Sequence, residues 1–244
     1  MTPQSFITRK LYRFLLLMLP LFATLLLVFA SVLQAQEHQG ADEELQRESP
    51  IALNPAAGAE VGFVYEAYLS PHQEGGEEDE TPAVVPPELR STEPSVPRNQ
   101  RTSRGHAAIE FTHDLSRAYV YLAVENVAAE DVVMLHLHCG RPGQLGPILV
   151  DFALIGSINE FLADGVMRVE VTNEDLVATT AHGEGPLAFF TVGCPIIAAV
   201  PTDRVRTIAG MEVIAREGEL YFNLHTKAQT FFGDIRGQFY LVGG

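Results

Sequence analysis

From Gly105 onward the chain is cut by turn signals into short runs, and this cadence limits the folds open to it. His106–Phe111, Ala118–Val124, Val132–Cys139, Pro147–Phe152, Val166–Val171, Leu187–Val192, Leu220–Thr226 and Ile235–Val242 are rich in β-branched and aromatic residues. Gly140, Pro142, Gly143 and Gly146 form the clearest turn cluster between two of them. An earlier run, Val61–Leu69, has the same character. Many short strands at close spacing predict an all-β domain, an antiparallel sandwich or a barrel-like sheet. One short helix interrupts the series. Thr202 follows Pro201, apolar residues recur at Val205, Ile208, Met211 and Ile214, and Gly218 suits the stop. Thr172 with Asp175 has the form of a capping box and predicts one further helical turn.

The first 35 residues are of another kind. Arg9, Lys10 and Arg13 precede an apolar run from Phe14 to Leu33. Basic, then apolar, then small residues is the order of a secretory signal peptide, with Ala35 as the candidate cleavage position. About 20 apolar residues also suffice to span a bilayer, so an uncleaved signal anchor is the alternative. Either way the remainder is expected outside the cytoplasm: secreted, periplasmic or at the cell surface. The membrane is then touched only through residues 1–35, and only if they are retained.

Residues 36–244 carry 13 basic and all 31 acidic side chains, a formal −18. So negative a chain repels nucleic acid and anionic lipid, which excludes nucleic-acid partners. Residues 36–60 are polar and acidic and read as a flexible spacer ahead of a β domain over 61–244. Within that domain, residues 71–104 hold six prolines and the acidic run Glu77-Glu78-Asp79-Glu80. This composition predicts a disordered insertion whose charges serve solvation.

Two cysteines are present, Cys139 and Cys194. In an oxidising compartment they are able to pair, and closing so long a loop is worth about 3–4 kcal/mol. Cys139 also follows a histidine pair, which leaves a metal role open as the alternative.

Alternate side chains of a strand share a face. Met134, His136 and His138 therefore lie on one side of their run, opposite Val133, Leu135, Leu137 and Cys139. Tyr221, Asn223 and His225 likewise share a face of theirs. If the two strands are neighbours with these faces aligned, His136, His138 and His225 converge. Three imidazoles hold zinc or copper, and a nearby methionine favours copper. The other reading of the same histidines is structural, with hydrogen bonds to backbone or to Asn223 that brace the sheet. His106 and His113 are further candidates to approach, whereas His182 reads as exposed. Neither cysteine stands in a nucleophile motif, and no Gly-x-Ser-x-Gly or phosphate loop is present.

Two stretches carry a family resemblance. His136-Leu137-His138-Cys139-Gly140 runs on through the glycine-rich turn into Ile148-Leu149-Val150, and Tyr221-Phe222-Asn223-Leu224-His225-Thr226 precedes Gly233-Asp234-Ile235-Arg236-Gly237-Gln238. In order and spacing these resemble the CHRD domain, a module named after its occurrence in chordin and found in bacterial exported proteins. The resemblance covers about residues 61–244. It departs at the insertion 71–104 and at Phe231-Phe232, which are bulkier than the family's usual turn residues. It implies an extracytoplasmic all-β module in which Gly140, Tyr221, Asn223, Thr226, Gly233, Arg236, Gly237 and Gln238 serve the architecture. The chain thus reads as a non-enzymatic binding or structural module for a protein or glycan partner. The alternative is a copper- or zinc-binding protein, with redox activity in its reach.

Overall fold

The computed structural model describes residues 52–182, 194 and 204–243. Residues 1–51, with the apolar N-terminal run, and the expected strand Leu187–Val192 lie outside the described residues. Among the described residues no helix is long and apolar enough to cross a membrane.

Among the described residues the chain forms nine strands: β1 Val61–Leu69, β2 Arg104–Thr112, β3 Ala118–Glu125, β4 Val132–Cys139, β5 Ile148–Asp151, β6 Val166–Val171, β7 Leu220–Thr226, β8 Ile235–Gln238 and β9 Tyr240–Gly243. They form a five-stranded sheet in the order β6-β3-β2-β1-β9 and a four-stranded sheet in the order β5-β4-β7-β8. Every pairing within them is antiparallel. The run expected as one last strand is two. Phe239, fully buried, carries the chain out of the smaller sheet after Gln238 and into the larger one at Tyr240. Tyr65, Leu69, Ile109, Phe111, Val120 and Leu122 of the first sheet and Leu135, Leu137, Phe222, Leu224 and Ile235 of the second belong to one apolar core. The all-β reading holds, as two antiparallel sheets around one core.

Helices are more numerous than expected: α1 Ile158–Phe161, α2 Asn173–Ala181 and α3 Ile208–Arg216. Thr172 opens α2, its backbone N–H and hydroxyl both donating to the Asp175 carboxylate, so the predicted turn is a full helix. α3 starts later than the sequence suggests. Its cap is Thr207, whose hydroxyl accepts from Gly210 N at 3.1 Å, because Val205 packs before the helix instead of on its first turn. Gly218 ends it with φ +71°, the left-handed stop expected there.

The largest correction concerns residues 71–104. Instead of a mobile loop they form an ordered strap of three short 3-10 turns, with Glu74, Glu78, Val85, Arg101 and Ser103 buried. Their charges find fixed partners. The Glu78 carboxylate accepts from the backbone N–H groups of Phe231 at 3.1 Å and Phe232 at 3.3 Å, and from the Ser91 hydroxyl at 2.6 Å. Arg101 donates to the carbonyls of Gly233 and Asp234 and pairs with Glu77, which also holds Arg98. The end of the expected spacer is docked as well, through His113 N to Glu60 O at 2.9 Å and Asp114 N to Gly58 O at 2.9 Å.

The strap explains an anomaly in β4, β7 and β8. A sheet in a two-layer sandwich has one wet face, yet every residue of β7 and β8 and residues 135–138 of β4 are buried. The outer face of the four-stranded sheet is covered by the strap, the turn 140–147 and the loop 227–234. A polar site built on that face is consequently an interior site.

Candidate metal centre

β4 and β7 are neighbours, and their register sets Met134 opposite His225, His136 opposite Asn223 and His138 opposite Tyr221. All six residues point to the covered outer face. His136, His138 and His225 are each less than 8% exposed, and one ring nitrogen from each lies within 4.8 Å of the other two.

The hydrogen bonds of the rings decide which nitrogens are free. His138 Nδ1 is 2.9 Å from Gly146 O and His225 Nδ1 is 2.9 Å from Thr230 O. A carbonyl only accepts, so both Nδ1 atoms carry the proton and both Nε2 atoms keep a lone pair. His136 is turned the other way. Its Nε2 stands 3.6 Å from Asp151 Oδ1, and its Nδ1 has no partner. His136 Nδ1, His138 Nε2 and His225 Nε2 are thus three buried nitrogens without a hydrogen-bond partner in the protein. A buried polar atom left unpaired costs about 1–3 kcal/mol, and natural proteins tolerate few of them.

This arrangement fits a metal ion. A metal-ligating histidine characteristically donates its second ring N–H to a carbonyl or carboxylate, and each of these rings has such a group at its far edge. An ion at the centre of an equilateral set of this size would stand about 2.8 Å from each nitrogen. Ligand bonds of about 2.0–2.1 Å therefore ask each ring to move inward by about 0.7 Å.

Burial keeps the three rings neutral and ready to ligate. It drives His138 down to about 3, with His225 beside it as the next cause, and His225 down to about 4. His136 is likewise pushed well below the ordinary value by burial, then by its two histidine neighbours. Asp151 is raised by burial while the N–H of Ala153 works against that rise.

Supporting residues come from β5, the turn 140–147, β7, the loop 227–234 and β8. Asp151 ends β5, and its backbone N–H donates to Thr179 Oγ1 of α2 at 3.0 Å. Gly146 supplies the carbonyl for His138, and a Cβ there would run into the carbonyl of Cys139. The Tyr221 ring lies flat on His138, centroids 4.9 Å apart at 3°. The Arg236 guanidinium covers the opposite face of Tyr221 at 3.5 Å. Arg236 donates to the carbonyls of Gln144 and Arg141, and Gln238 donates to those of Gly140, Gly218 and Leu220. Gly233, at φ +106°, leaves room for the Asn223 side chain, which donates to Phe232 O at 3.0 Å. Thr226 closes the loop, its N–H donating to Gln229 O and its carbonyl accepting from Thr230 Oγ1. A cavity of about 190 Å³ opens from the nitrogens toward solvent, walled by Met134, Ile148, Leu145, Phe231 and Leu89.

The other sequence candidates are placed elsewhere. Cys139 and Cys194 form a disulfide, so Cys139 is not a ligand, and its side chain belongs to the face opposite the histidines. His106 stacks on Tyr68 and His113 packs edge-on to Phe63, both at the five-stranded sheet and apart from the cluster. His182 is exposed, as read from the sequence, and stands at the rim of the cavity. Asn223 bonds none of the three imidazoles; the bracing partners are the carbonyls of Gly146 and Thr230. Sequence reasoning missed those carbonyls, together with Asp151 and Leu89. Only the glycine-rich turn carried a signal for any of them.

A model of the CHRD domain family matches residues 86–239, more than half of the chain and all three histidines. No curated protein and no solved structure matches it.

Proposed function

Because the chain belongs to the CHRD domain family, we propose that it is an exported β module that binds a transition-metal ion, copper or zinc, through His136, His138 and His225. One observation carries this reading. Three buried imidazoles, two of them anchored at Nδ1 by backbone carbonyls and the third approached by Asp151, turn unpartnered nitrogens toward a single point. Bracing the sheet accounts for the anchored nitrogens and leaves the other three unexplained. The Cys139–Cys194 disulfide supports an oxidising destination, and the basic-then-apolar start of the chain supports export by residues 1–35, as signal or anchor.

The testing experiment is metal analysis of the purified full-length protein beside a His136→Ala/His138→Ala double variant. About one equivalent of copper or zinc retained by the wild type and lost by a folded double variant is the expected result. No metal in either, even after reconstitution, would sink the reading. The histidines would then be architectural, and the module's ligand would be a protein or glycan.

A further inference from the structure

Three features of the site bear on which ion it takes, given the three-histidine reading above. The first is charge. All three ligating groups are neutral imidazoles, and among the described residues no carboxylate joins the point where their nitrogens converge. Asp151 meets His136 at its far edge. On the other side a cation, Arg236, stands behind His138, separated from it by the Tyr221 ring. A divalent ion would bring two charges into this buried place with Asp151, behind His136, as the one carboxylate beside the rings among the described residues, and a monovalent ion would bring one.

The second is softness. Met134 is half-buried on the ligand face, directly across from His225, and it lines the cavity. With Cys139 held in the disulfide, the Met134 thioether is the sulfur on offer at the cavity wall. Thioethers select cuprous copper over zinc.

The third is the apolar wall. Zinc on three histidines keeps a water or substrate as its fourth ligand. Here the cavity wall is mostly apolar, with Leu89, Leu145, Ile148 and Phe231, and its polar side chains besides the three ligating histidines are Asp151, Asn223, Thr230 and His182. A cuprous ion is satisfied by three donors, or by three and a thioether.

We propose that the cargo of this site is cuprous copper and that Met134 is the residue that sets the preference. The full-length protein is tested anaerobically, with ascorbate as reductant, in competition with bathocuproine disulfonate for Cu(I), and separately with 4-(2-pyridylazo)resorcinol for Zn(II). Cu(I) is expected to bind at least ~1000-fold more tightly than Zn(II), and Met134→Leu to lose about tenfold in Cu(I) affinity with zinc unchanged. X-ray absorption of the copper-loaded wild type is expected to show a sulfur neighbour that the variant lacks. Zinc binding as tight as or tighter than Cu(I) would overturn the cuprous assignment and leave a three-histidine metal site standing. Failure of both ions to compete would overturn the site itself. Unaltered Cu(I) affinity and an unaltered copper spectrum in a folded Met134→Leu protein would overturn the role of Met134.

Discussion

His136 separates a ligand from a structural histidine most sharply, because it is the least satisfied of the three. Its Nδ1 has no partner and its Nε2 only a 3.6 Å approach to Asp151. If its purpose were to hold the sheet together, replacing it would cost the usual core penalty. If its purpose is to bind an ion, the metal-free protein keeps an uncompensated nitrogen that a leucine would remove. A buried unpaired group costs about 1–3 kcal/mol, and replacing it with an apolar side chain of similar size is often neutral or stabilising. His136→Leu is therefore expected to leave metal-free stability within about 1 kcal/mol of wild type, or to raise it, while abolishing the stabilisation that metal confers. Urea denaturation with and without added copper reads both quantities. A loss above about 2 kcal/mol in the metal-free state would mark the imidazole as structural.

At the scale of elements, the strap and the β7–β8 loop act on the site through a chain of contacts. Glu78 and Ser91 hold the backbone N–H groups of Thr230, Phe231 and Phe232, and the Thr230 carbonyl fixes the His225 ring. Glu78→Ala leaves these buried donors short of an acceptor, which predicts a loss of about 2–4 kcal/mol. Through the loosened carbonyl it also predicts a fall of ~10–100-fold in metal affinity. Hydrogen exchange at Phe231 and Phe232 should accelerate in the variant, and unchanged protection there would refute the link. This coupling was invisible in the sequence for a physical reason. Glu78 and its amide partners are more than 150 positions apart, and an acidic, proline-rich run has the same composition whether it is solvated or docked. The strands were legible because alternation is local: the HxH face, the Tyr-x-Asn-x-His face and the core residues between them follow from a period of two. The outer cover was not, so β7 and β8, buried on both faces, gave no hint of what lies over them. The break at Phe239 was hidden too, since a strand that changes sheets keeps its apolar pattern.

For the molecule as a whole, the buried histidines link folding to proton concentration. Their folded-state values lie well below the ordinary 6.5, with His138 near 3 and His225 near 4. Above about pH 6.5 all three are neutral folded or unfolded and contribute no pH dependence. As pH falls below that value the unfolded chain takes up protons that the folded one refuses. Metal-free stability is therefore lost through this window, by about 1.4 kcal/mol per pH unit for each imidazole once the unfolded form is fully charged. Three buried carboxyl groups act with the opposite sign. Burial raises Glu74, Asp151 and Asp234, so the folded state binds their protons more tightly and gains on acidification. The total slope mixes these effects, but comparison with His136→Leu isolates one imidazole, because the carboxyls are present in both proteins. Between pH 5.5 and 4.5 the metal-free wild type is expected to lose about 1.4 kcal/mol more than the variant. Above pH 7 the two profiles should run parallel. A difference that is flat across the acid window would mean that His136 accepts its proton in the folded state, and the desolvation inferred from its burial would not exist.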